Sequence, residues 1–242
     1  PQRGIHVYWQ DNPGDSDDTV REKARRIVDQ VVGFEANAIA ISFPFFVTAP
    51  QSNALIADAR TPSPHRLSIL IDEARRAGLR ITLRPLMDGA TPDAFHGEAW
   101  RGTFAPTDRA RWYDAYSTFL KPYLRLAQDE RVETFVVGVE LSALQLDPQW
   151  TAIVDLARSI YHGEVGYSAN WDAYPTAKAA IPADRIGIDA YPLLGLPSSA
   201  TQDQMTTAWT NWLTRITRGD SAQLVLDEVG GAAESVLQYN PA

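Results

Sequence analysis

The chain alternates short apolar runs with helix-like stretches from one end to the other, and this alternation constrains its fold more than any other feature. The apolar runs lie at residues 5–9, 38–43, 80–84, 134–140, 165–170, 186–191 and 224–228. Runs of this length, separated by helical or turn-forming segments, predict parallel strands joined by crossover helices. The predicted class is therefore α/β.

The stretches between the runs carry the signals of helix ends. Asp17 and Asp18 are candidate N-caps for the first helix. Pro64 is placed to open the second helix and Gly78 to close it. The first two apolar runs are therefore each followed by a helix, as βα units require.

The number of units favours a closed sheet. Seven βα repeats with no break in composition fit a (β/α)₈ TIM barrel better than an open doubly wound sheet, which rarely needs so many. We expect one catalytic barrel domain over residues 1–242, a length that suits this fold. Residues 229–242 are too few for a further helix, strand and helix, so the eighth unit is expected to be missing or truncated.

Charge and composition exclude several kinds of partner and cofactor. The chain has 30 Asp and Glu against 22 Lys and Arg and no Lys/Arg-rich run, so we expect no nucleic-acid partner. Without cysteine it has no disulfide, thiol nucleophile, Cys-ligated zinc or iron–sulfur cluster. Its four histidines lack metal-site spacing and no phosphate-binding glycine motif is present, so we expect no metal and no cofactor. His6 is interpreted as a core residue.

No apolar stretch approaches the roughly 20 residues that a membrane-spanning helix needs, so no membrane span is expected. The compartment stays open, with an extracellular or cell-envelope location slightly favoured over the cytoplasm. Oligomeric state also stays open.

The carboxyl ends of barrel strands converge on one face, which is where function is expected. The predicted strands end in Trp9, Phe43, Arg84, Glu140, Asn170, Tyr191 and Glu228. Carboxylates can transfer protons or attack an anomeric carbon, polar groups can bind hydroxyls, and aromatic rings can cover a pyranose. The set predicts a site for a polysaccharide or oligosaccharide substrate.

Further binding candidates lie beside these ends. Trp9, Trp100 and Trp171 could stack an indole ring on a sugar, with loop packing as the alternative. Asn170 could bind a hydroxyl or cap the following loop. Asp88, just after the third run, could bind a hydroxyl or be solvated. The tryptophans expected to pack between helices and sheet are Trp112, Trp150, Trp209 and Trp212.

Two glutamates carry most of the functional argument. Glu140 and Glu228 each close a run that is otherwise largely apolar. Burying a carboxylate there costs free energy, and a function is one reason why a protein would keep such a residue. Either one alone could be the first polar residue of an exposed loop, but the pair on strands four and seven favours catalysis.

Several segments resemble glycoside hydrolase family 113, which belongs to the clan A retaining glycosidases. The matching segments are VGVELS at 137–142, VGYSANW at 165–171, IGIDAY at 186–191, DEVG at 227–230, TPS at 61–63, GLR at 78–80, LRP at 83–85 and WRG at 100–102. Together they extend over nearly the whole chain.

The resemblance implies a (β/α)₈ barrel and endo-acting hydrolysis of β-1,4-mannan, with Glu140 as acid/base and Glu228 as nucleophile. Double displacement with retention predicts carboxyl groups about 5 to 5.5 Å apart. Burial and the neighbouring carboxylate should raise the pKa of Glu140, while Tyr191 and Arg84 should keep Glu228 ionised.

One position departs from the clan pattern. Many clan A relatives have Asn immediately before the acid/base glutamate, where it binds the sugar 2-hydroxyl, and this chain has Val139. That contact must come from another residue. A non-catalytic glycan-binding barrel in a surface or cell-wall assembly is the rival hypothesis, and exo action is a third. The sequence does not choose between mannan, glucomannan and another β-linked backbone.

Overall fold

The structure, a computed structural model, describes residues 2–95, 100–197, 199–217 and 224–230. Within these residues, seven parallel strands stand side by side in chain order and form a nearly closed barrel with alternating helices. The strands are β1 (Gly4–Tyr8), β2 (Ala38–Val47), β3 (Arg80–Gly89), β4 (Thr134–Val139), β5 (Glu164–Asn170), β6 (Arg185–Ala190) and β7 (Leu226–Val229). The prediction of an α/β barrel is confirmed. The predicted truncated eighth unit falls on residues outside the described ranges.

The helices of the described chain cover the outside of the sheet. They are α1 (Asp17–Gly33), α2 (Pro64–Arg76), α3 (Arg109–Asp129), α4 (Gln149–Ile160), α5 (Tyr174–Ala180) and α6 (Gln202–Thr217), with single 3₁₀ turns at Arg101–Thr103 and Ser142–Leu144. Among the described residues, no helix has both the length and the apolar character that crossing a membrane requires.

The start of α1 corrects a predicted helix cap. The N-cap is Ser16, whose hydroxyl accepts a hydrogen bond from the backbone N–H of Thr19 at 3.2 Å. Asp17 and Asp18 instead occupy the first turn, where negative charge stabilises the helix dipole. The predicted ends of α2 are confirmed, because Pro64 lies in its first turn and Gly78 follows the helix with a φ of +74°.

Two strands run further than the sequence predicts. β2 and β3 stay in register through Phe43↔Pro85 and Pro44↔Leu86, whereas we expected strand ends near these prolines. Arg84 therefore lies within a strand and inside the barrel rather than at its rim. β4 ends one residue earlier than predicted, so Glu140 follows the strand instead of closing it.

The two faces of the sheet differ in chemistry. Side chains alternate between the faces along a strand. On β2, Phe43 and Phe45 face outward and contact Tyr123 and Tyr116 of α3, with ring centroids 4.7 and 5.3 Å apart. The opposite face lines the barrel interior and carries polar side chains: His6, Ser42, Arg84, Asp189 and Glu228. The large apolar core thus lies between sheet and helices, and the barrel interior is left for the site.

Candidate active site

Glu228 on β7 directs its carboxylate into the barrel interior. Arg84 Nη1 lies 2.9 Å and His6 Nδ1 3.1 Å from its Oε1, and the Tyr191 hydroxyl donates to its Oε2 at 2.9 Å. Burial opposes ionisation of this carboxyl, but the His6 hydrogen bond, the Arg84 charge and the Tyr191 hydrogen bond outweigh burial and hold its pKa well below the ordinary value. Glu228 is therefore an anion at neutral pH, as a nucleophile must be.

Arg84 is shared between two carboxylates. Its side chain is fully buried on β3, and Nη2 donates to both oxygens of Asp189 on β6, at 3.0 and 2.9 Å. A buried guanidinium needs such partners, because an unpaired charge in the interior is very costly. The Arg84–Asp189 pair thus fixes the cation that Glu228 contacts.

Replacing Arg84 with Met should lower the free energy of unfolding by about 3 to 5 kcal/mol, because Asp189 is left buried without its counter-charge. Guanidinium chloride unfolding measures this loss. Arg80→Met, at the exposed start of the same strand, is the matched control and should stay within about 0.5 kcal/mol of the parent protein. A loss below about 1 kcal/mol in Arg84→Met would show that the pair is not needed for stability.

Glu140 follows β4 in an unusual backbone conformation. Its φ is +52°, a left-handed value that non-glycine residues seldom adopt, and its backbone N–H donates to Ser168 O on β5 at 2.8 Å. The side chain is buried, and Arg101 Nη1 donates to its Oε2 at 2.7 Å. Arg101 is itself held by Nε donating to Met87 O at 3.1 Å. The turn therefore presents Glu140 to the interior with the Arg101 guanidinium hydrogen-bonded to it.

The pKa of Glu140 is raised, opposite to that of Glu228. Burial is the largest cause, the Arg101 charge and hydrogen bond oppose it, and the negative charge of Glu228 raises the pKa further. The two carboxyl groups thus interact in one site, one favoured as the acid and the other as the anion. Two carboxyls whose environments push their pKa values apart suit acid and nucleophile roles in one reaction. The directions and their causes agree with the sequence-based expectation, including Arg84 and Tyr191 as partners of Glu228.

The other predicted binding residues are spread around the rim. Asp88, near the end of β3, accepts a hydrogen bond from the Tyr8 hydroxyl at 3.2 Å. Asn170 donates to Asp172 Oδ1 at 2.7 Å, which matches its alternative interpretation as a loop cap. Tyr191 is exposed apart from its bond to Glu228.

The predicted stacking tryptophans are less available than expected. Trp100 is partly exposed, but its indole lies over Gly102, where an added Cβ would come within 2.2 Å of the ring. Trp171 is partly buried and packs against the apolar core.

The structure contradicts a role for Trp9 in sugar stacking. Its side chain is 6% exposed and belongs to the apolar core between sheet and helices. The physical reason is that successive side chains of an extended chain point to opposite faces of the sheet. Tyr8 points into the barrel, so Trp9, the next residue, points outward. Tyr8, 42% exposed, is the aromatic residue of this strand that lines the interior. Helix packing of Trp112, Trp150 and Trp212 is confirmed, since each is at most 3% exposed.

Three residues of the site were not predicted from the sequence. His6 was interpreted as a core residue, yet it contacts Glu228. Asp189 lies inside the apolar run 186–191, where a buried carboxylate is as costly as at the two glutamates, so the same reasoning would have found it. Arg101 lies in a long loop without periodicity, and only the WRG segment marked its surroundings. Among the described residues, no group of three His, Cys, Asp or Glu is arranged to hold a metal ion.

One known protein family matches most of the chain. The sequence profile described as Glycoside Hydrolase Family 113 matches residues 11–234 of the chain. No curated protein matches the sequence.

Solved structures with a similar fold include three β-mannanases. One GH113 β-1,4-mannanase is 18% identical with a TM-score of 0.74, over 95% of this chain and 72% of that one. A second, a complex, is 19% identical with a TM-score of 0.68, over 93% and 69%. The third is a GH113 β-mannanase from Alicyclobacillus acidocaldarius in complex with ManMIm, 19% identical with a TM-score of 0.68, over 89% and 66%. At these identities the likeness shows the fold, and the chain spans about two thirds of their length.

Proposed function

The chain belongs to glycoside hydrolase family 113, and on that premise we propose that it is a retaining endo-β-glycosidase that cleaves β-1,4-mannan. The observation that carries the proposal is the opposed environment of two carboxyl groups: Glu140 is buried with a raised pKa, and Glu228 is held as an anion by the Arg84 charge and by hydrogen bonds from His6 and Tyr191. Acid and nucleophile are the two roles that a retaining glycosidase requires.

In the first step, a carboxylate oxygen of Glu228 attacks the anomeric carbon. The bond from that carbon to the glycosidic oxygen breaks, and the leaving oxygen takes the proton of Glu140. This gives a glycosyl ester on Glu228 and an ionised Glu140. Arg101, which lies beside Glu140, stabilises the new negative charge.

In the second step, Glu140 acts as the base. It removes a proton from a water molecule that attacks the anomeric carbon, and the Glu228 carboxylate leaves. Arg84, His6 and Tyr191 stabilise the released carboxylate. Two inversions at one carbon give net retention of configuration.

Mannan is the proposed backbone because of family membership, and the three similar solved structures are β-mannanases. Candidates for binding the sugar hydroxyls lie at the rim, where Tyr8 and Asp88 form a hydrogen-bonded pair and Tyr191 is exposed. Arg84 is fully buried, so it acts through Glu228 rather than on the sugar.

The test is incubation of the purified chain with β-1,4-mannan, followed by product sizing and by ¹H NMR of the first anomer released. We expect a mixture of oligosaccharides with the β-anomer formed first. An α-anomer first would overturn retention, and mannose as the sole product would overturn endo action. Hydrolysis of another β-glycan but not mannan would overturn the substrate. Binding of mannan by folded protein without hydrolysis of any glycan would favour the non-catalytic barrel.

Arg101→Gln should move the alkaline limb of the kcat/KM profile to higher pH by about one unit. The Arg101 charge favours ionised Glu140, so its removal raises the pKa of Glu140 further and keeps the acid protonated at higher pH. Rates measured between pH 4 and 10 report the shift. Arg158→Gln, which breaks the exposed pair with Asp184, is the control and should leave the limb in place. A shift to lower pH would contradict the role given to Arg101.

A further inference from the structure

The His6 ring connects a buried hydroxyl to the proposed nucleophile. Its Nδ1 is 3.1 Å from Oε1 of Glu228, and its Nε2 is 2.5 Å from the Ser42 hydroxyl. Ser42 is fully buried on β2, in register with Arg84 of β3. The contacts therefore run from β2 through β1 to β7.

The chemistry of the partners fixes the orientation of the ring. An ionised carboxylate can only accept hydrogen bonds, so Nδ1 carries the proton that is donated to Glu228. In the neutral ring, Nε2 has no proton and accepts from the Ser42 hydroxyl. A ring held at both nitrogens cannot rotate without breaking one of these bonds. Ser42 thus sets the direction in which His6 donates.

The two oxygens of Glu228 are held differently. Oε1 contacts two side chains, the charged guanidinium of Arg84 at 2.9 Å and the His6 ring at 3.1 Å. Among the described residues, Oε2 accepts a hydrogen bond from Tyr191 alone, and that side chain is 45% exposed. Oε1 is therefore the oxygen turned towards the protein, and Oε2 lies on the open side.

We propose that His6, oriented by Ser42, is a positioning residue that together with Arg84 anchors Oε1 of Glu228 and leaves Oε2 to attack the anomeric carbon. This rests on the proposed role of Glu228 as nucleophile. When Oε2 bonds to the sugar, Oε1 becomes a carbonyl oxygen and a weaker acceptor. When the ester breaks, Oε1 regains charge, and the Arg84 charge and the His6 hydrogen bond stabilise it, so the anchoring assists departure of the carboxylate in the second step.

The surroundings of Glu228 predict the sign of the effect. The groups that face it are Arg84 on β3, Asp189 on β6, His6 on β1, Tyr191 after β6 and Glu140 after β4. The cation and the hydrogen-bond donors favour the anion, and the two carboxyls oppose it. Removal of the His6 donor therefore raises the pKa of Glu228 and moves the acid limb of kcat/KM to higher pH.

Two near-isosteric variants separate the two contacts of the ring. The amide of His6→Asn replaces Nδ1 and can still donate to Glu228, whereas the amide of His6→Gln replaces Nε2 and reaches Ser42 instead. The pKa of Glu228 is read by ¹³C NMR of its carboxyl, assigned by its absence in Glu228→Gln. We expect a rise of about one unit in His6→Gln, a tenfold change in ionisation, and little change in His6→Asn. Ser42→Ala should give a smaller rise.

This titration needs no substrate, so it tests the anchoring of Glu228 by His6 independently of the proposed hydrolysis. An unchanged pKa of Glu228 in folded His6→Gln, or equal shifts in His6→Asn and His6→Gln, would overturn the anchoring role. Loss of stability without movement of the acid limb would reduce His6 to a packing residue and also overturn it. The expected titration shift in a chain that hydrolyses no glycan would leave the anchoring intact and reject the proposed function.

Discussion

Glu228→Gln should lower kcat/KM on β-1,4-mannan on the order of 10⁴- to 10⁶-fold, the scale seen when a nucleophile is removed. The amide keeps the size of the side chain, its oxygen can stay in contact with Arg84, and its NH₂ group can donate to the Tyr191 hydroxyl oxygen, so the barrel interior should stay folded. What it lacks is the anionic oxygen that forms the glycosyl ester. Release of reducing sugar, measured over hours at high enzyme concentration, covers this range.

The matched control is Glu22→Gln on the exposed face of α1, where the side chain pairs only with Arg26 among the described residues. It makes the same chemical change away from the site and should keep full activity. Circular dichroism confirms that both variants fold. Residual activity within about tenfold of the parent enzyme would show that Glu228 is not the nucleophile.

Glu140→Ala should lower kcat/KM on mannan by about 10²- to 10⁴-fold, because the sugar leaving group then departs without a proton. The loss should be much smaller on a dinitrophenyl β-mannoside, whose leaving group needs no protonation. The second step still lacks its base, so the glycosyl ester should accumulate, and dinitrophenol should be released in an initial burst. Added azide needs no base, and it should restore turnover and give the β-mannosyl azide.

Glu130→Ala, at the C-terminal end of α3, is the control for this series and should behave like the parent enzyme on both substrates. Equal losses on mannan and on the activated mannoside would contradict acid catalysis by Glu140. An α-mannosyl azide would contradict the glycosyl ester on Glu228. Taken with the variant at Glu228, the two outcomes assign the roles to each carboxyl separately.

The fold class could be predicted from local sequence patterns, because the tertiary structure keeps the elements that those patterns indicate. Alternation of apolar runs and helical stretches requires crossover helices, and Pro64 and Gly78 mark the ends of α2 by their own backbone preferences. Strand ends were less predictable, since Pro44 and Pro85 continue β2 and β3 instead of ending them. A proline lacks only its own N–H, and a neighbouring strand can tolerate the missing bond.

The two glutamates could be chosen as candidate site residues from the sequence alone, because a carboxylate at the end of an apolar run is costly to bury. Which neighbours surround each one was decided by the tertiary structure. A parallel strand covered on both faces carries no clear polar and apolar alternation, so it does not show which side chains face the interior. For this reason the sequence placed Trp9 at the site and His6 in the core. In the structure, Trp9 is buried in the core and His6 contacts Glu228 at the site. Arg101 reaches Glu140 across 39 residues of sequence, a contact that only the folded loop creates.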